Sequence, residues 1–256
     1  MIIPGNNIKE FLEERAERYN HPRFIESDPV SVPHKYSRKE DVEISGFLTS
    51  VIAWGNRRMI IRNAECMMEV MGNSPYDFVM NHDEFQLERF NGFVHRTFNG
   101  TDAKYFIRAL KNIYVNYEGP ERIFSRYSTD YSTQPAIHEF RKIFFSSAHL
   151  PRSTRHLPDP LKKSAAKRIN MFLRWMVRRD SRGVDFGIWE SISPSSLSCP
   201  LDVHSGNTAR KLGLIKRRQN DSVAVSELDN ILRQFDRDDP VKYDFALFGL
   251  GAIEKI

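Results

Sequence analysis

The stretch from Ser164 to Asp180, SAAKRINMFLRWMVRRD, predicts a helix with one apolar face. Ile169, Phe172 and Met176 recur at helical spacing, so we expect them to pack in a core. Lys167 stands in the first turn, where the positive end of the helix dipole opposes a cation. The same field favours loss of a proton, which turns a lysine into a nucleophilic amine. Taken by itself, Lys167 is therefore a solvated surface residue, a phosphate contact or a nucleophilic amine, and the first two are the more common roles of such a lysine.

The rest of the chain shows the same helical period. Residues 37–40, SRKE, have capping-box form and open an apolar-periodic run, and a second run over residues 59–70 ends before Gly72. Strand-like alternation between hairpin turns is nearly absent, so we expect an all-α protein. Loops are predicted at residues 28–36 and 149–160, and further helices at residues 101–117, 135–145, 164–179, 205–212, 222–235 and 240–256.

Composition limits the class of protein. The 256 residues are 40% hydrophobic, which is enough for a core and argues against disorder. No apolar run approaches the roughly 20 residues of a membrane helix, and the start, MIIPGNNIKEF, lacks the features of a signal peptide. Two cysteines cannot form a disulfide framework, so we expect reduced thiols and a cytoplasmic location. The net charge of +5 is consistent with a polyanionic partner.

A second informative stretch is Cys199 to Leu214, CPLDVHSGNTARKLGL, which reads as a turn followed by a basic helix. Asp202 precedes the predicted helix start at Ser205, so it is either a helix cap or a catalytic carboxylate. His204 has a structural interpretation as a hydrogen-bonding residue. Together with Cys199 it supplies only two metal ligands, so no metal site is expected.

The order of these residues resembles the helix-hairpin-helix superfamily of base-excision DNA glycosylases. In that superfamily a hairpin ends in a lysine, here Lys167, and a helix and an aspartate segment follow, here 202–204 (DVH) with 211–214 (KLGL). Residues 243–254, YDFALFGLGAIE, resemble a C-terminal helix of the same proteins, and residues 48–59, LTSVIAWGNRRM, occupy the place of their lesion-pocket segment. The chain is most similar to the archaeal 8-oxoguanine DNA glycosylase type.

The resemblance implies a fold and an activity. It implies a helix-hairpin-helix glycosylase-like fold over residues 1–256, a single all-α domain with two helical subdomains flanking a cleft. It also implies a monomeric DNA repair glycosylase and AP lyase that acts on double-stranded DNA. The sequence has no four-cysteine loop, so neither an iron–sulfur cluster nor another cofactor is expected. Over its full length the chain also resembles a bacterial family of largely uncharacterised proteins.

The resemblance further implies roles for individual residues. Lys167 would attack the sugar carbon of the damaged nucleotide and form a Schiff base, and Asp202 would stabilise the charge that develops on the sugar. The two should therefore face each other in one cleft. The pocket for the damaged base would include Trp54, Asn56, Asp244 and Phe248. Contacts to DNA would come from Lys162, Lys163, Ser164, Arg168, Arg57 and His204.

The sequence also departs from the superfamily. Its hairpin is usually glycine-rich, whereas residues 163–165 here are KSA, and Trp54 and Gly55 replace the glutamines of the pocket segment. Two alternatives therefore stay open. One is a non-catalytic nucleic-acid-binding protein that retains the helix-hairpin-helix fold. The other is a helical scaffold in which the three motif matches are coincidental.

Overall fold

A computed structural model describes residues 7–255, and most of them are helical. This confirms the all-α class. Within that range the only sheet is an antiparallel hairpin of two short strands, β1 (Val94–His95) and β2 (Phe98–Asn99). In chain order the α-helices are α1 (Ile8–Tyr19), α2 (Lys39–Val51), α3 (Arg57–Val70), α4 (Pro75–Asn81), α5 (Glu84–Leu87), α6 (Gly100–Tyr117), α7 (Pro120–Tyr127), α8 (Gln134–Phe144), α9 (Lys167–Val177), α10 (Val203–Lys211), α11 (Ser222–Phe235) and α12 (Tyr243–Phe248).

The chain divides into two compact units. Unit 1 comprises residues 7–24, 128–135 and 159–255 of the described chain, and it contains α1 and α9 to α12. Unit 2 comprises residues 25–127 and 136–158, and it contains α2 to α7, most of α8 and the hairpin. No helix among the described residues is long and apolar enough to cross a membrane, in agreement with the sequence.

The core of unit 1 is built around the short helix α12. Leu12 of α1, Ala209 of α10 and Leu228 of α11 are buried in the same cluster as Leu247 of α12. A five-residue π-helical turn at Gly249–Ile253 continues α12. Gly249 is needed there because a Cβ atom would lie 2.1 Å from the ring of Tyr19. The closest approach of α1 to the end of α12 therefore requires glycine.

The core of unit 2 is aromatic. Phe47 of α2, Phe106 of α6 and Phe144 of α8 are fully or almost fully buried, and the ring centroids of Phe106 and Phe144 are 4.7 Å apart. Such edge-to-face pairs contribute about 1 kcal/mol beyond the burial of their area. The three helices are therefore tied together by rings that lie far apart in the sequence.

Several predicted boundaries shift in the structure. The capping box predicted at residues 37–40 is wrong, because the cap residue of α2 is Arg38 and Ser37 lies one position too early to bond the first turn. The helix predicted from Ser164 begins at Lys167, since the backbone at Ala166 is left-handed. The patterns missed α1, α4, α5, α7 and both strands, and the predicted loops contain short 3-10 turns.

Replacing Gly249 with alanine should destabilise the protein, because the new methyl group would overlap a ring that is held in place by its own hydrogen bond to Glu254. We expect a loss of about 1–3 kcal/mol in the free energy of unfolding, the usual cost of overpacking. Urea denaturation measures it. Gly92→Ala is the control, since nothing lies within 4 Å of its Cβ position. Equal stabilities of the two variants would contradict this account of the α1 contact.

Candidate functional site

The hairpin before α9 turns tightly without glycine. A 3-10 turn at Pro160–Lys162 is followed by Lys163 with φ 67° and, three residues later, by Ala166 with φ 46°. A left-handed backbone costs a non-glycine residue roughly 1–2 kcal/mol. Two such residues in one short turn therefore require support from the surrounding structure.

That support comes from the start of α11 and from α9 itself. Ser164 forms an antiparallel bridge with Asp221, which is the cap residue of α11. The side-chain amide of Asn170 donates a 3.0 Å hydrogen bond to the carbonyl oxygen of Ala165. These bonds hold the turn so that α9 begins at Lys167. The hairpin shape is therefore fixed by tertiary contacts.

Asp202 is the cap of α10, as its structural interpretation predicted. Its Oδ1 atom accepts hydrogen bonds from the backbone N–H groups of His204 at 2.8 Å and Ser205 at 3.0 Å. The Ser205 hydroxyl in turn accepts from the N–H of Asp202 at 2.9 Å, which completes a capping box. One carboxylate oxygen is thus committed to the helix, and this fixes the direction of the other.

The other oxygen of Asp202 faces Lys167. The Lys167 Nζ and Asp202 Oδ2 atoms are 4.0 Å apart, and the two side chains are 28% and 26% exposed. Lys167 Nζ also lies 3.5 Å from the sulfur of Met171, so the amine is held along α9. An ion pair this exposed contributes at most about 1 kcal/mol. The sequence predicted that these two residues face each other, and the structure brings Nζ and Oδ2 within 4.0 Å.

A second carboxylate lies behind this pair. Asp244 of α12 is buried and accepts hydrogen bonds from the Arg174 guanidinium and, at 3.7 Å, from the Cys199 thiol. Burial raises the pKa of Asp244 to about 6, although the charge of Arg174 opposes this and the charge of Asp202 adds to it. The Asp244 carboxylate is therefore held by protein groups and interacts electrostatically with the pair.

Arg174 belongs to a buried ionic network that the sequence did not reveal. Its Nε atom lies 3.2 Å from Asp185, and Arg178, one turn later, lies 3.1 Å from Asp185 and 2.9 Å from Asp239. Buried charges are tolerated only when they are paired and hydrogen-bonded in this way. The signal available in the sequence was two arginines four residues apart on a helix that is otherwise buried.

Two of the cations expected to contact DNA lie in the hairpin, and Arg168 follows at the start of α9. Lys162 and Lys163 are exposed, as is His204 in the first turn of α10. Arg168 is half-buried, and burial lowers its pKa to about 10. The Ser164 hydroxyl accepts a 3.1 Å hydrogen bond from the N–H of Ala166 and so stabilises the turn.

The two aromatic residues predicted for the pocket lie in different units. Phe248, at the end of α12 in unit 1, is half-buried and meets Phe24 edge-on at 6.0 Å. Trp54, in unit 2, is half-buried, stacks on His156 at 5.8 Å and meets His95 edge-on at 5.1 Å. Neither ring is enclosed in a core.

Asn56 and Arg57 also lie in unit 2, where they start α3. The Asn56 side chain caps the helix by accepting a 3.2 Å hydrogen bond from the N–H of Met59, and Arg57 is partly exposed in the first turn. In the part of the chain that the structure describes, no group of three or more histidine, cysteine or acidic side chains could hold a metal ion.

Trp54 rests on a buried polar cluster that sequence patterns missed. Asp102 is fully buried and accepts hydrogen bonds from Arg152 at 2.9 Å and Ser153 at 2.5 Å, and its Oδ2 lies 3.6 Å from His156 Nε2. His156 is the ring on which Trp54 stacks. The partners come from distant parts of the chain, so no local spacing indicates the cluster.

Comparison with known families shows that residues 28–253 match the model of a family described as protein of unknown function (DUF2400). The chain belongs to the DUF2400 family. The matched range includes Lys167, Asp202, Asp244 and Trp54, and thus covers the candidate residues of both units. Searches of curated proteins and of solved structures gave no significant match.

In this DUF2400 protein a second buried carboxylate positions the segment that precedes Asp202. Asp229 of α11 accepts a 2.9 Å hydrogen bond from the N–H of Cys199. Burial raises the pKa of Asp229 to about 6, against the effect of its own hydrogen bonds. Asp229 and Asp244 therefore hold the backbone and the thiol of Cys199 from two helices.

The stability of the DUF2400 protein should reflect the raised pKa of Asp229. A carboxyl group whose pKa rises from 3.8 to about 6 on folding stabilises the fold below pH 4, and this contribution is lost as the pH rises through 6. Asp229→Asn removes that dependence and keeps an acceptor for Cys199. From pH 4.5 to pH 7, the free energy of unfolding of the variant, measured with urea, should rise by about 2 kcal/mol relative to that of the unmodified protein. A difference in the free energy of unfolding that stays the same at every pH would contradict the raised pKa of Asp229.

Proposed function

We propose that this DUF2400 protein is a DNA glycosylase with AP-lyase activity. It removes a damaged base, with oxidised purines as the first class to test, and acts as a monomer on double-stranded DNA in the cytoplasm. The observation that carries the proposal is the 4.0 Å separation between Lys167 Nζ and Asp202 Oδ2 at the mouth of two helices. A nucleophilic amine beside a fixed carboxylate is what this reaction requires.

Lys167, in its neutral form, is the nucleophile. Its Nζ forms a bond to the C1′ carbon of the damaged nucleotide while the glycosidic bond breaks, and the base leaves with the bonding electrons and takes up a proton. Opening of the sugar ring then gives a Schiff base between Nζ and C1′. β-Elimination from this intermediate breaks the bond to the 3′ phosphate.

Asp202 supports two parts of this reaction through its Oδ2 atom. The carboxylate accepts the proton that Nζ loses as the new bond forms. Its negative charge also stabilises the positive charge that develops on the sugar during base release. Because Oδ1 is bonded to the first turn of α10, the charge is already oriented before substrate arrives.

The remaining assignments rest on the resemblance. Taken unit by unit, it supports Asp244 and Phe248 of α12 as pocket residues in unit 1, and Trp54 and Asn56 as pocket residues in unit 2. Neither ring is fully buried, and a pocket for a flipped base needs an aromatic or apolar wall. The proposed contacts to DNA phosphates are Lys162, Lys163, Ser164, Arg168, Arg57 and His204.

One observation favours a second candidate, a nucleic-acid-binding protein without catalytic activity. The capping box gives Asp202 a complete structural role, which requires no chemistry. In that case Lys167 would contribute only charge to a binding surface. The two candidates differ in covalent chemistry, so trapping of the Schiff base separates them.

Borohydride should trap the full chain covalently on a duplex that contains 8-oxoguanine or another lesion from a panel. Lys167→Gln should abolish trapping, because it removes the only amine facing Asp202 Oδ2 that the described structure shows. Lys211→Gln is the matched control, an exposed lysine of the same unit, and should trap as well as the unmodified protein. Absence of trapping across the whole panel would favour the binding protein.

Asp202→Asn should slow base release while the fold survives, because asparagine caps a helix nearly as well as aspartate but carries no charge. We expect a decrease of about 100-fold or more in single-turnover base release, with DNA binding retained. Asp83→Asn changes the cap of α5, another capping-box carboxylate, and should leave the rate unaffected. A normal rate for Asp202→Asn, together with reduced stability, would restrict Asp202 to its capping role.

A further inference from the structure

A second basic surface lies in unit 2. It consists of Arg58, Met59 and Arg62 on α3 and of Arg96 in the turn between β1 and β2, and we call it the arginine face. All four residues are exposed, and Met59 retains 55% of its accessible surface. The proposed chemistry of Lys167 and Asp202 uses none of them.

Two other exposed arginines of unit 2 are held in ion pairs. Arg38 pairs with Asp77 at 3.0 Å, and Arg108 pairs with Glu84. Among the residues that the structure describes, Arg58, Arg62 and Arg96 form no ion pair and no side-chain hydrogen bond. Their guanidinium groups therefore keep all of their donors available for an anionic partner.

Helix stability does not account for the charges on α3. Its first turn contains no acidic residue, although acids are favoured there by the helix dipole. Arg58 and Arg62 are four residues apart, so their like charges are neighbours on the helix surface and repel each other. The arrangement therefore disfavours the first turns of the isolated helix.

The backbone conformation at Arg96 is also one that costs stability. Its φ angle of 55° is one that glycine adopts most easily in a hairpin turn. Its guanidinium lies over Gly55, where a Cβ atom would come within 2.8 Å of Nη1. The absence of a side chain at Gly55 therefore makes room for the Arg96 guanidinium directly before α3.

We propose that the arginine face binds the sugar–phosphate backbone of DNA. Three unpaired guanidinium groups suit phosphate oxygens, which are the positioning contacts of most DNA-binding proteins. The exposed Met59 side chain between them can pack against a sugar. The charge pattern suits any polyanion. The choice of DNA rests on the proposed glycosylase function.

The first test compares two double variants of the full chain on an undamaged, fluorescein-labelled duplex of about 20 base pairs. Arg58→Gln/Arg62→Gln removes two charges of the face. Arg122→Gln/Arg126→Gln removes two exposed arginines with the same spacing on α7, and serves as the control. Loss of two phosphate contacts should lower the slope of log affinity against log salt by about two. The affinity ratio between 50 and 200 mM salt should then fall by about tenfold.

The second test is Arg96→Gly, which removes the charge and places glycine where the backbone favours it. The melting temperature should therefore stay unchanged, whereas DNA affinity should fall and the salt slope should decrease by about one. A merely structural role for Arg96 would change the melting temperature and leave the salt slope unaltered.

The outcomes separate the arginine face from the glycosylase proposal. Equal salt slopes for the two double variants, or no measurable binding of DNA by the unmodified protein, would overturn the arginine face. At saturating DNA, Arg58→Gln/Arg62→Gln should be trapped by borohydride as efficiently as the control. If nothing is trapped on any lesion but the double variant still loses affinity, the glycosylase proposal fails and the arginine face stands.

Discussion

The two oxygens of the Asp202 carboxylate have different partners, the start of α10 and Lys167, and the geometry of the candidate site depends on this arrangement. Oδ1 is bonded to two backbone N–H groups at the start of α10, so Oδ2 has a fixed direction toward Lys167. Helix capping and chemistry are therefore compatible interpretations of one residue. The cap supplies the orientation that an electrostatic role needs, without any rearrangement when a substrate binds.

The same site depends on charges buried beneath it. Asp244 interacts with Lys167 and Asp202 and is held by Arg174, whose second partner is Asp185. Such a network is costly unless every member is paired, and it then tolerates few alternative arrangements. It therefore sets the position of α12 relative to α9 within unit 1, and with it the surroundings of the amine.

Local sequence patterns determined much of the secondary structure. The helical period located α3, α6, α8 and α11 within a few residues, since each helix buries one apolar face. The patterns missed α1, α4, α5 and α7, and they placed the start of α9 three residues too early. Left-handed backbone at Lys163 and Ala166 is not encoded by glycine here, and bonds from Asn170 and from the start of α11 hold the hairpin instead.

For the site, the sequence by itself determined the residue types and the order of Lys167 and Asp202, together with the capping pattern that follows. Only the tertiary structure decided that Oδ2 faces the amine, that Asp244 is held by Arg174, and that Arg96 lies over Gly55. The physical reason is the distance along the chain over which each interaction acts. Capping and periodicity act over a few residues, whereas burial and charge pairing depend on groups that the folded chain brings together from distant positions.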